Sequence, residues 1–385
     1  MGVFTISSLL NYFNRQILAA LAPLLQREFG LAHRQYGLVL SAFSLSYAAS
    51  APAAGLWIDR VGLARGISAA VALWSLAGAA TGWMRSFTGL LLCRAALGVA
   101  QAGGVPATGK AIALYLAPEE RALGNALSQI GLSAGAMLAP PLAVWLATSY
   151  GWRATFLAGG AAGLLWLPWW WAAARRAPRR QGPSGAPVPL GALAAEGRLW
   201  ALVLANLLSM TVYTLWSNWT TLFLVEAQGL RFEQTAWPAA LPPLAANLGG
   251  LAGGWLSLEL VRRGAAPVAA RLRVCLLSAC LLLGTALIPL APGAWAAAAI
   301  ALSFLLSSAW SVNLYSLPLD LYGAGRAAFA TSLLTGAYGL MQAVVSPLFG
   351  ALADRYGFAP LCVLVSLCPL AAWWLLRAAH LERSG

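Results

Sequence analysis

The chain has 385 residues, of which 60% are hydrophobic and only 9% charged, where an ordinary soluble domain carries about 25%. So few charges cannot cover the surface of a soluble protein of this size. That excludes a soluble enzyme, a disordered chain and most nucleic-acid binders. The net charge of +13 is expected to mark basic residues gathered on one side of a bilayer rather than a nucleic-acid partner.

A spanning helix needs about 20 largely apolar residues. Twelve such spans are predicted, at roughly 3–25, 36–57, 66–84, 88–115, 121–148, 153–174, 199–226, 236–258, 272–291, 294–317, 327–351 and 359–379. The expected fold class is an all-α membrane protein of two pseudo-symmetric six-helix bundles. The first bundle covers 1–174 and the second 199–385. The Arg-, Pro- and Gly-rich stretch 175–198 reads as the linker. The N-terminus lacks a basic n-region, so no cleavable signal is expected.

With both termini on the cytoplasmic side, sixteen of the 24 Lys and Arg fall inside and six outside. That asymmetry predicts the orientation. The remaining two, Arg15 and Arg94, lie within spans. Tryptophans near span ends, among them Trp152, Trp169, Trp170 and Trp171, suit an interfacial belt. The five cysteines sit in apolar runs and read as small buried hydrophobes. No metal, cofactor or catalytic constellation is expected, so the chain reads as something other than an enzyme.

The halves look repeated. Arg121 and Gly131 recur as Arg326 and Gly336 at an offset of 205 residues. "SYGWRATF" around Gly151 recurs as "RYGFAPLC" around Gly357 at an offset of 206. A nearly constant offset indicates a parallel duplication of six helices.

An arginine at mid-span costs about 2.5–3.5 kcal/mol on insertion scales, so it is expected to face a cavity and have a partner. Arg15 lies in "NYFNRQ", and Tyr12, three residues earlier, shares its face. Arg94 lies in "CRAALGVAQAGGVPA", and Gln101, seven residues on, faces the same way. Glu28, Asp59 and the other nine acids all map to loops or span ends. The loop after the second span reads "GLWIDRVGLAR". Here Gly55 would allow close helix approach, Asp59 would cap a helix end or pair with a base, and Gly62 would permit a tight turn. Arg60 and Arg65 complete this gating motif.

That loop resembles the signature of the major facilitator superfamily. "NYFNRQ", "CRAALGVAQAGGVPA", "PEERALGNALSQIGLSAG" and "YGWRATF" further resemble its anion:cation symporter branch, which includes carriers of hexuronates and related sugar acids. The resemblance implies a substrate site between the two bundles, contacted by Tyr12, Arg15, Tyr47 and Arg94. Asn14 stands where that branch usually has a titrating Asp, and Gln101 where it usually has Glu. An amide keeps the hydrogen bonding of the acid but cannot titrate. With both coupling positions neutral, an empty cavity would hold unbalanced positive charge, which favours exchange of one anion for another.

Gln101, Gln129, Asn218, Trp310 and Asn313 are expected to complete the site by reading hydroxyls and stacking on a sugar face. Gly131–Gly135 is read as close helix packing through small residues. The expected function is alternating-access transport of a small organic anion, a sugar acid or another carboxylate, in a bacterial inner membrane. The expected partners are that anion and the lipid bilayer, with a monomeric chain and no nucleic acid. Export of an amphiphile or drug, and a membrane sensor that binds without transporting, are the alternatives.

Overall fold

A computed structural model describes residues 2–117, 120–176 and 196–379. The predicted linker lies mostly outside the described residues, as do Arg179, Arg180 and the C-terminal tail. The described chain is helical throughout, with short turns between the helices.

Helices α1 (Gly2–Ala20) and α2 (Ala22–Phe29) form the first predicted span, broken at Leu21. Next come α3 (His33–Val61), α4 (Leu63–Thr81), α5 (Phe87–Gln101), α6 (Gly104–Tyr115), α7 (Arg121–Tyr150) and α8 (Trp152–Arg176). The single fourth span of the sequence reading is therefore two helices, interrupted at Ala102 and Gly103. The second half holds α9 (Gly197–Glu226), α10 (Leu241–Arg262), α11 (Pro267–Leu282), α12 (Gly293–Tyr322), α13 (Ala324–Tyr356) and α14 (Phe358–Ala378).

Among the described residues, ten helical stretches are long and apolar enough to cross a membrane. The first and sixth predicted spans are not among these ten. The reason is composition: α1 carries Asn11, Asn14, Arg15 and Gln16, and α8 carries five tryptophans and three arginines.

The described residues form two compact units. The first holds α1 to α8 together with Arg231–Ala240, and the second holds α9 and the chain from Leu241 onward. In the first unit α1 packs along α7, α3 along α5, and α4 along α8. Small residues make these contacts possible. A Cβ on Gly131 or Gly135 of α7 would run into the carbonyls of Thr5 and Leu9 on α1. A Cβ on Gly98 of α5 would strike the Phe43 carbonyl, and one on Gly160 of α8 the Ser75 carbonyl. In the second unit α10 packs along α12, with Gly249 and Gly253 against the backbone of Leu305 and Ala309. The pairing of second with fourth span thus recurs as eighth with tenth.

The repeated letters also have matching conformations. Gly151, between α7 and α8, has φ +86°, and Gly357, between α13 and α14, has φ +71°. Both turns need a backbone that only glycine adopts without strain.

Candidate functional site

The first unit contains a cavity of about 470 Å³. Asn11, Tyr12 and Arg15 line it from α1, Tyr47 from α3, Trp74 from α4, Gln101 from α5, and Asn125, Ser128 and Gln129 from α7. It lies beside the stretch where α1 and α7 touch through Gly131 and Gly135.

Arg15 is the single charged residue lining this cavity among the described residues. Its guanidinium carbon lies 4.8 Å from the centre of the Phe43 ring and 5.6 Å from that of Tyr12. Phe43 in turn stacks on Tyr47 at 5.9 Å. The cation is thus held on aromatic faces, which favour a weakly hydrated guanidinium.

Polar side chains line the same space. Gln101 donates its Nε2 proton to the Asn11 carbonyl at 3.0 Å. Its Oε1 has no hydrogen-bond partner in the protein, and neither do the buried Asn11 Nδ2, Trp74 Nε1 and Ser128 Oγ. All four residues line the cavity. Buried polar groups are nearly always satisfied, so these unpartnered atoms set the side chains beside this cavity apart from ordinary packing.

Asn14 is placed beside this cavity rather than on its wall. It is 2% exposed, and its Nδ2 donates to the carbonyls of Leu10 at 2.9 Å and Gly159 at 3.2 Å. A Cβ on Gly78 would come within 2.9 Å of its Oδ1. Asn14 therefore ties α1 to α8 and abuts α4. Two acceptors face its amide, an arrangement suited to a neutral donor and not to a carboxylate.

Arg94 is likewise absent from the cavity wall. It is 2% exposed, and its guanidinium carbon stands 5.6 Å from the Phe156 ring centre. Its Nε and Nη2 have no hydrogen-bond partner.

The three candidates of the second half lie in the second unit. Trp310 is fully buried in that unit's hydrophobic core. Asn313 Nδ2 donates to the carbonyls of Gly253 at 3.1 Å and Ala309 at 2.9 Å, fastening α12 to α10. Asn218 Nδ2 donates to the Thr214 carbonyl one turn back at 3.0 Å. The two asparagine amides thus make packing bonds, while Trp310 Nε1 and Asn313 Oδ1 are buried without a hydrogen-bond partner.

The loop motif from Gly55 to Arg65 has a partner on another helix. The Lys110 ammonium on α6 donates to Asp59 at 2.8 Å and to the Ile58 carbonyl at 3.1 Å. It neutralises the acid and caps the end of α3 at once. One signal pointed there: Lys110 is the only lysine in the sequence. Gly62 takes the expected turn conformation, with φ +84°. Gly55 does not make the expected close approach, because a Cβ there would rest at an ordinary 3.8 Å from Pro106. Arg60 and Arg65 are exposed. In the second unit Arg271 forms a bidentate ion pair with Asp320. Arg271 lies 206 residues after Arg65, at the repeat offset.

The sequence profile of the Major Facilitator Superfamily matches residues 4–337. The hexuronate transporter of Escherichia coli strain K12 is 27% identical over 403 residues, 98% of this chain and 93% of its own length. The galacturonate transporter of Dickeya chrysanthemi is 29% identical over 277 residues, 67% of this chain and 80% of its own. Among solved structures, a bacterial homolog to the human lysosomal transporter Spinster, inward-facing and occupied, superposes with a TM-score of 0.78. That match covers 100% of this chain and 96% of the other at 21% identity, and bears on the fold alone.

Proposed function

Since this chain belongs to the Major Facilitator Superfamily, and is an integral membrane transporter rather than an enzyme, we propose that its cargo is a polyhydroxy monocarboxylate carried by alternating access. The observation that carries this reading is the charge count of the cavity wall, where Arg15 is the single charged lining residue. One fixed cation suits one carboxylate, gripped bidentately. Asn11, Trp74, Gln101 and Ser128, all on the cavity wall, offer polar side chains to the cargo's hydroxyls. Tyr12 and Tyr47 orient the guanidinium, and Gln129 extends the polar wall. The hexuronate and galacturonate relatives support the same chemical class. A lipophilic drug would leave these polar groups unsatisfied, which disfavours drug export.

The coupling follows from Asn14 and Gln101. Neither position titrates, and no carboxylate lines the cavity among the described residues. The cavity wall carries net positive charge, with no lining acid among the described residues to balance it, and a bound anion balances that charge as the site closes. The transport cycle is then anion exchange, with the loaded carrier crossing far faster than the empty one. The chain would cross a bacterial inner membrane twelve times as a monomer, with both termini and the Asp59–Lys110 latch on the cytoplasmic side.

Proteoliposomes test both parts. Counterflow of D-glucuronate or D-galacturonate against the same anion inside is expected. A dicarboxylate such as D-galactarate should exchange at least tenfold more slowly. Uptake into anion-free vesicles, driven by a proton gradient at clamped potential, would refute exchange.

A further inference from the structure

Two further cavities lie at one end of the first unit. There the start of α1, the α3–α4 junction and the ends of α6 and α8 meet. Trp166 Nε1 donates to the Val3 carbonyl at 2.7 Å, and Trp170 Nε1 to the Ala64 carbonyl at 3.3 Å. Trp170 is 4% exposed and stacks on Trp166 at 5.4 Å, with Tyr115 edge-on at 6.4 Å. This aromatic wall divides the two spaces. On one side is an apolar groove of about 580 Å³ between the start of α1 and Trp169–Ala174. On the other is a cavity of about 420 Å³ lined by Arg65, Lys110 and Trp171. Arg175 stands 6.0 Å from the Trp171 ring centre, adding a third cation. Tyr115 lines both spaces.

The charge balance decides the occupant. Asp59 is the acid paired here, and it offsets Lys110 alone. Arg65 and Arg175 are exposed and no ion pair holds either among the described residues, so two positive charges remain beside the apolar groove. A basic pocket next to such a slot, at a ring of tryptophans, matches an anionic lipid at the bilayer interface. Phe4, which is 2% exposed, lines both the groove and the Arg15 cavity. It separates this site from the cargo.

We propose that this pair of cavities is a binding site for an anionic glycerophospholipid. Its phosphodiester sits among Arg65, Lys110 and Arg175, and one acyl chain lies in the groove beside Trp169 and Trp170. This site does not depend on the identity of the cargo.

The test is native mass spectrometry of the intact protein in detergent with phosphatidylglycerol or phosphatidylcholine. Wild type is expected to retain phosphatidylglycerol selectively. Each of Arg65→Gln and Arg175→Gln should lower that retention about fivefold, the weight of one basic side chain near a charged lipid surface. Unchanged selectivity in the double variant overturns the proposal. So does complete displacement of the lipid by inorganic phosphate, which would make this a free-phosphate site. Should a variant fail to fold, wild-type protein decides the matter with a photo-crosslinking phosphatidylglycerol carrying the label on its acyl chain. Adducts on residues 2–6, 115–116 and 169–174 support the site, and adducts confined to other helices overturn it.

Discussion

Gln101 hands its amide proton to the carbonyl of Asn11 at 3.0 Å, which leaves its own oxygen buried without a partner. One bond thus fixes which end of the amide faces the Asn11 backbone. Reversing the amide would set two oxygens against each other.

Gln101→Glu tests this directly. A charged carboxylate would face the Asn11 carbonyl, so the variant needs its acid protonated. Exchange should persist at acid pH and fall as pH rises, where wild type shows no such dependence from this position. A pH profile of counterflow that stays flat in the variant would contradict the geometry.

Arg15→Ala should abolish transport while the protein still inserts. Arg15→Lys keeps the charge but loses the bidentate fork and the stacking on Phe43 and Tyr12. A weakening of cargo binding by about 10- to 100-fold is expected, as for loss of a hydrogen bond to a charged group. The substrate-induced rise in Tm reports it. An undiminished shift in Arg15→Ala would remove the residue from the site.

Asn14→Asp should be tolerated only in its neutral form, because two carbonyls face this position. A buried acid held protonated binds its proton more tightly in the folded than in the unfolded chain, so stability must decline as pH rises. The Tm of this variant should approach that of wild type near pH 5 and drop by pH 8. An equal Tm difference at both values would argue against the acceptor-only surroundings.

Breaking the Lys110–Asp59 pair should affect transport more than stability. Asp59 is 72% exposed, and exposed pairs contribute about 0–1 kcal/mol. Lys110→Met should therefore change Tm little but alter exchange rate. The charge swap Asp59→Lys with Lys110→Asp should recover part of that rate, and a double-mutant cycle showing no coupling would deny the latch.

The two repeat glycines make an internal control. A methyl on Gly131 meets the Thr5 carbonyl, whereas one on Gly336 meets nothing within 4 Å. Gly131→Ala should cost about 1–3 kcal/mol through overpacking. Gly336→Ala should be neutral, or gain up to about 1 kcal/mol from helix propensity. Equal effects on thermal unfolding would mean that the α1–α7 contact is looser than described.

Much of this arrangement was legible in the residues. Apolar runs located the helices, and the recurring glycines at 151 and 357 marked equivalent turns. Arg15, Tyr12, Tyr47, Gln101 and Gln129 were read as a group, and one cavity gathers them. Spacing misled where it fixed direction but not depth. Arg94 and Gln101 share a helix face, yet seven residues separate them by about 10 Å along the axis, and only Gln101 reaches the cavity. Trp310 and Asn313 also share a face, and there Asn313 is fastened to the Gly253 backbone of α10. Asn11 was available in the same motif, four residues before Arg15. Its role was hidden because it depends on which backbone oxygen Gln101 meets, a contact 90 residues apart in sequence.

The solitary lysine has a practical consequence. Every other basic side chain in this sequence apart from two histidines is an arginine, which acylating reagents leave untouched at neutral pH. An amine-directed fluorophore will therefore find one side chain in the wild-type protein, and that side chain is half of the Asp59 pair. While the ammonium is held it reacts slowly, and once released it reacts fast. The unaltered molecule thus carries its own chemical clock for the opening of that end of the first unit, readable during turnover without a single engineered cysteine.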